Sequence, residues 1–205
     1  MALNNFAGLK ASALAWIERV GDPAAESILD DCVTLCEARL HKVPNFRLST
    51  METEATVTLV DGVGSLPGNF LAMHRVVADY SVPRVLQYAE PGWFHDAYPI
   101  GGTDEEGGFY TIIGLSIRAR SSSTLSIVYY AKVPPLTVVD NVNWLLTKSP
   151  DVYLYGTILE LLNALEGNAT EKYAGMFGAA VQGLIQAETF SRGGVLTMRA
   201  SMPAP

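Results

Sequence analysis

The spacing of apolar residues changes twice along this chain, from helical to alternating and back to helical, and that change bounds what it can fold into. Leu9, Ala13, Trp16, Ile17 and Val20 stand at helical spacing over residues 9 to 20, and Gly21 follows as the expected C-terminal cap. Asp22 then precedes Pro23, an N-cap residue followed by proline at the first helical position. A second helix therefore starts there and runs to about His41. Its buried face is expected to hold Ile28, Leu29, Cys32, Leu35, Cys36 and Leu40, and Pro44 forbids a further turn.

The period then shortens to two. Residues 53 to 59 alternate as a half-buried strand and end in the turn Asp61-Gly62-Val63-Gly64. Further strands are expected at 73–80, 83–88, 109–113, 115–120 and 124–131, all rich in Val, Ile, Tyr and Thr, with Ser121-Ser122-Ser123 as a hairpin turn. Residues 90 to 97 read as one short helical turn, and 99 to 108 as a Gly-rich acidic loop.

Pro134-Pro135 closes the strand-rich block. Ser149-Pro150-Asp151 restarts a helix, with proline at its first position and an acid against the dipole. That third helix is expected over about 150–166. A fourth, over about 169–191, would present Tyr173, Phe177, Val181, Leu184 and Glu188. Gly175, Gly178 and Gly183 each weaken it by roughly 1 kcal/mol relative to alanine, so close backbone contacts are expected there. The fold expected is α+β: a bundle of two helical hairpins, about four helices, with an inserted small antiparallel β layer and an extended C-terminal tail. The hairpins are 1–45 and 149–191 and form one helical domain, the inserted β domain is 46–148, and the tail is 192–205. The tail contains Arg192 and Arg199 and no acid, with Val195, Leu196, Met198 and Met202 as apolar teeth, which suits a segment that orders on a partner.

Composition narrows the function. The chain is 49% hydrophobic and 17% charged, against about 25% charged in ordinary soluble domains, so surface is expected to be buried against partners, as in a homo-oligomer. The net charge is −7 and no Lys/Arg cluster stands out, which argues against tight nucleic-acid binding but not against a wall that DNA slides past. No apolar run reaches the about 18 residues of a membrane span, and the first residues lack the pattern of a signal peptide. A cytosol-like compartment is expected, with no membrane partner.

No catalytic, metal or cofactor site is expected. Cys32 and Cys36 share a helix face, but the histidines His41, His74 and His95 are scattered singly, so the cysteines read as core residues. The chain has no G-x-S-x-G, P-loop or dinucleotide fingerprint. Gly101-Gly102 and Gly107-Gly108 flank acids and would repel phosphate. Asp30-Asp31 and Asp104-Glu105-Glu106 read as solvated carboxylates without the spacing of a calcium loop. Tyr129-Tyr130, Trp144, Tyr153 and Tyr155 could form a stacking platform for sugars or bases, and read better as a core seam between the β layer and a helical hairpin.

The most specific text is VYYAKVPPLTVVDNVNWLLTKSPDVYLYG, from Val128 to Gly156. It resembles the bacteriophage head-to-tail adaptor, or connector, proteins, whose pattern is a YYA-x-(I/V)-P-x-L strand exit, then N-x-W-L-L, then a Pro-Asp-x-Y-L-Y-G helix start. The residues that carry it are Tyr129, Tyr130, Pro134, Trp144, Leu145, Pro150, Asp151, Tyr153, Tyr155 and Gly156. Weaker similarity extends to CEARLHK at 36–42, METEATVTL at 51–59 and GGVLTMR at 193–199, so it covers nearly the whole chain. Where relatives start the fourth helix with an Asp-Asp-Glu-Arg-like run, this chain has Asn168-Ala169-Thr170-Glu171, and the Pro203-Ala204-Pro205 ending is its own. The resemblance implies a structural virion protein without catalytic residues or cofactors. It would be made in the bacterial host cytoplasm and sit in the neck between capsid and tail. Identical subunits, twelve of them, would form a ring under the portal protein, extend the DNA channel without gripping DNA, and receive a downstream tail, nozzle or stopper protein. The portal-binding tail would be Arg192, Gly193, Gly194, Val195, Leu196, Thr197, Met198 and Arg199. Two other readings compete: a small carbohydrate-binding module or enzyme with a β insert, and a tail-completion or gatekeeper protein further from the portal.

Overall fold

Side-chain caps set where the helices begin. In the computed structural model, which describes residues 3–80, 82–98, 107–120, 124–165 and 171–193, Asn5 accepts from the Gly8 N–H at 2.8 Å to open α1 (Phe6–Trp16). Asp22 accepts from Ala24 at 3.0 Å to open α2 (Pro23–Lys42), whose last turn holds Arg39, His41 and Lys42 against the dipole. A single 3-10 turn (Ser49–Met51) leads into β1 (Glu52–Thr58), β2 (Val63–Ser65), β3 (Phe70–Ala78) and β4 (Arg84–Tyr88). Then come α3 (Pro91–Ala97), β5 (Phe109–Ile113), β6 (Ser116–Ala119), β7 (Thr124–Ala131), α4 (Trp144–Lys148), α5 (Pro150–Leu165) and α6 (Glu171–Gly193). The chain divides into two units, a helical one of residues 1–49 and 133–205 and a sheet unit of residues 50–132.

The helical unit is built around α5. Ten of its residues from Val152 to Leu162 are buried, and α1, α2, α4 and α6 all pack on it. Such all-round burial marks a central core helix, not an amphipathic surface one. α6 presents Phe177, Val181, Leu184 and Glu188 inward, as their spacing predicts. α1 stops four residues earlier than expected. Glu18 adopts a left-handed φ of 58°, and the N–H groups of Glu18 and Arg19 return to the carbonyls of Ala15 and Leu14. That is a Schellman stop, and Val20, expected in the helix, lies beyond it and is exposed, as is Trp16. Leu35, expected on the buried face of α2, is also exposed, because Val33 and Glu37 take that side of the helix.

The sheet unit overturns the expected fold class. It is not a small antiparallel layer inserted in a bundle of four helices. Seven strands form one mixed sheet in the order β1-β7-β3-β4-β5-β6-β2, alongside six α-helices among the described residues. Two features were misjudged. Val63 and Gly64, read as part of a turn, belong with Ser65 to the strand β2, which pairs with β6 through Val63↔Arg118 and Gly64↔Ile117. And β4 runs parallel to β5, which requires a crossover of a dozen or so residues; α3, expected as one helical turn, lies on that crossover.

The sheet nearly closes on itself. Asp61 and Gly62 both have positive φ, 52° and 76°, so they make the two-residue turn that suits a tight hairpin. Val60 and Val63 exchange backbone hydrogen bonds across it at 2.9 and 3.0 Å, linking the two outermost strands. Gly64 admits this approach because a Cβ there would collide with the Val57 and Leu59 side chains. The interior holds Val76, Ile117, Leu125 and Ile127 at 0–1% exposure. The unit's first and last strands are neighbours, with Glu52 opposite Tyr130 and Thr58 opposite Thr124.

The extended tail was placed from residue 192, but α6 continues through Arg192 and Gly193. Gly194, Val195, Leu196, Thr197, Met198 and Arg199 lie outside the described residues, as does the acidic run at 104–106.

Candidate functional site

Two residues of the adaptor-like motif, Pro134 and Tyr153, meet Asn143 and Glu37 in one buried polar cluster of the helical unit. The chain enters that unit at Val133 as an extended strap over α2. The Val133 N–H donates to His41 Nε2 at 3.0 Å, and the Leu136 N–H donates to Glu37 Oε1 at 2.9 Å. Asn143 Nδ2 donates to the Pro134 carbonyl at 2.6 Å and to the Tyr153 hydroxyl at 2.7 Å. Tyr153 in turn donates to Glu37 Oε1 at 2.9 Å. Asn143 Oδ1 accepts from the Leu146 N–H at 2.9 Å and so caps α4. Strap, α2, α4 and α5 are thereby joined through Glu37, Asn143 and Tyr153, which are 6%, 8% and 0% exposed.

Burial governs the protonation of this cluster. It pushes the Glu37 carboxyl above its ordinary value, opposed by the hydrogen bonds from Leu136 and Tyr153. It also pushes the Tyr153 phenol up, helped by the Glu37 charge, so Tyr153 stays a donor. A fully buried phenol and its partners reach no substrate, and their chemistry is that of a clamp. Two ion pairs reinforce the same packing. Arg39 on α2 meets Glu160 on α5 at 2.5 Å, and Glu188 on α6 binds both Lys148 of α4 and the Ser49 hydroxyl.

The remaining motif residues have separate places. Leu145 is fully buried and Trp144 half-buried. Pro150 and Asp151 open α5, with Asp151 exposed against the helix dipole. Gly156 sits where α2 and α6 converge on α5, because a Cβ there would strike Cys36 Sγ and the Phe177 ring. Tyr129 and Tyr130 stand apart, in the sheet unit. Tyr129 packs on Phe70 with ring centroids 5.9 Å apart and donates to Asn69, while Tyr130 meets His74 at 5.5 Å. Tyr155 pairs instead with Trp16 at 5.8 Å. β7 thus places Tyr129 and Tyr130 in the sheet unit, while Tyr153 and Tyr155 stand on α5 in the helical unit.

Cys32 and Cys36 are core thiols, 2% and 0% exposed. Asp30 and Asp31 both face solvent, and Asp30 pairs with Lys10 at 2.8 Å. Among the described residues no group of three or more His, Cys, Asp or Glu could hold a metal, and no helix is long and apolar enough to cross a membrane. The sequence reading missed Glu37, Glu160 and the side-chain role of Asn143. A signal for Glu37 was present: it lies four residues after Val33 and four before His41, inside the apolar stripe of α2.

The family model described as SU10 adaptor protein matches residues 4–199. The chain belongs to this family of phage head-to-tail adaptors. A search of curated proteins finds no match. The adaptor match ends at residue 199, so Ala200 to Pro205 lie beyond it, and it spans both units, including the whole strap and its buried clamp.

Proposed function

We propose that this adaptor assembles as a twelve-membered ring on the tail side of the portal, in the virion neck. There it would extend the DNA channel and offer a platform to the next tail component. The observation that carries this reading is the family match over residues 4–199. Charge supports it, since a net −7 suits a passage that must not grip DNA. In this role the chain is structural and not catalytic, as membership of an adaptor family implies. It is synthesised in the bacterial host cytoplasm and carried in the particle.

Residues 192–199 are the portal-binding segment in this reading. Arg192 and Arg199 pair with portal carboxylates, and Val195, Leu196 and Met198 fill apolar grooves. Ordering such a tail costs on the order of 1–2 kcal/mol per residue in backbone entropy. Repetition around a ring offsets modest affinity per tail through avidity. Deleting 193–205 tests the assignment. The truncated chain is expected to stay folded and soluble, to lose co-sedimentation with purified portal, and to yield heads that package DNA and leak it. Stable necks built from the truncated chain would move the portal contact to the helices.

A further inference from the structure

Buried donors without acceptors stand side by side at one place in the sheet unit. Thr111 on β5 is directly opposite Arg118 on β6, and Arg118 is directly opposite Val63 on β2. These residues share the outer face of their strands, because their neighbours Tyr110, Ile112, Ile117 and Ala119 turn into the core. The face is not bare. Phe109, two residues before Thr111, meets Trp93 of α3 with ring centroids 5.0 Å apart. Arg120, two residues after Arg118, lays its guanidinium over the Tyr98 ring at 5.0 Å. Thr111 is 0% exposed here and Arg118 is half-buried.

Among the described residues, Thr111 Oγ1 and Arg118 Nε are both buried atoms with no hydrogen-bond partner. They do not bond to each other either. Residues directly opposite in an antiparallel pair have Cβ atoms about 4.5–5.5 Å apart, so one shared acceptor is within reach of both. The threonine O–H and the arginine Nε–H can each donate, and the guanidinium keeps its charge at any ordinary pH. Valine at 111 would fill the same volume with no hydroxyl to bury unpaired. Two such donors, one charged and one neutral, suit a compact acceptor that carries negative charge; an aliphatic or cationic group satisfies neither.

We propose that Thr111 and Arg118 form a binding site for a small oxyanion, a phosphate-like ion or a carboxylate, on the outer face of β5 and β6. The Thr111 hydroxyl and the Arg118 guanidinium hold it, and Arg120 on the same face adds positive charge nearby. The anion approaches from the side of Arg118, which keeps part of its surface in water. A fully buried hydroxyl is out of reach of a duplex backbone, so the site takes a small anion and not DNA. It lies within the sheet unit and does not depend on the ring.

Titration of the full chain with sodium phosphate and, separately, sodium acetate at constant ionic strength tests it. In nitrogen–proton NMR spectra, the Arg118 Nε–H and Thr111 amide signals are expected to shift and to saturate at millimolar anion. Tighter binding of phosphate identifies a free ion as the source, and tighter binding of acetate a side-chain carboxylate of another chain. Thr111→Val should bind roughly tenfold more weakly, having lost one hydrogen bond to a charged group. It should nonetheless unfold at the same temperature as the natural chain or higher. Signals that never saturate overturn the site, as does a Thr111 amide response that survives Arg118→Gln. So does a Thr111→Val chain that unfolds at a lower temperature and binds as well as the natural one, the result a bridging water would give. A chain carrying Asp104→Asn, Glu105→Gln and Glu106→Gln guards against an acceptor of the protein's own. Saturation in that chain alone would mean that these acids occupy the site, and the proposal falls.

Discussion

Tyr153 makes one hydroxyl serve two elements, donating to Glu37 on α2 and accepting from Asn143 ahead of α4. Tyr153→Phe leaves both partners buried and short of a hydrogen bond, a loss of about 1–3 kcal/mol. Thermal unfolding should show a midpoint lower by roughly 2–12 °C for a chain of this size; an unchanged midpoint would mean that water already serves the cluster. Glu37 adds a pH dependence with a definite sign. Its folded carboxyl holds its proton more tightly than the unfolded one, so its contribution is fully present below the ordinary value of 4.5 and is lost as pH rises through the folded value. Glu37→Gln does not titrate and can still accept from Leu136 and Tyr153. Its stability relative to the natural chain should therefore climb as pH is raised through that window. A flat difference between the two chains across acid and neutral pH would refute the burial argument.

Among the elements, α5 and α6 use glycine for opposite reasons. Gly156 on α5 has Cys36 and Phe177 where a methyl would go, whereas Gly175, Gly178 and Gly183 on α6 have nothing within 4 Å. Among the described residues, the close contacts expected at the α6 glycines are absent. Gly178→Ala should stabilise by about 1 kcal/mol through helix propensity. Gly156→Ala gains the same propensity but overpacks the junction, at a loss of about 1–3 kcal/mol. Unfolding midpoints on either side of the natural chain would separate the two roles. Element types were largely legible in the sequence because period and caps are local: Asp22-Pro23 fixed the start of α2, and the Phe177-Val181-Leu184-Glu188 spacing fixed the inner face of α6. What was not legible is long-range. Nothing in residues 84–88 and 109–113 says that they pair in parallel, and Val63-Gly64-Ser65 is too short to show a period of two. The tie between Glu37 and Tyr153 spans 116 positions, and no spacing rule reaches that far.

At the scale of the whole molecule, charge separates a wall from a grip. A surface with net −7 has few phosphate contacts to offer and repels a polyanion at long range. Purified protein should give no gel shift with duplex DNA at about 0.15 M salt, where screening reaches only ~8 Å. Salt-sensitive binding below micromolar concentration would count against both the channel argument and the proposed function. The pairing of Glu52 with Tyr130 has another consequence. Because the strands that begin and end residues 50–132 are neighbours, the sheet unit leaves the rest of the chain by two exits placed side by side, as a cassette does. On the helical side, Ser49 is fastened to Glu188 and Val133 to His41, so both stubs are anchored without help from the insert. Replacing 50–132 with a short Gly/Ser linker should therefore leave a helical protein with a cooperative thermal transition, and loss of that transition would show that the insert is needed to fold its host. A chain divided in this way can vary its sheet without disturbing the packing of its helices.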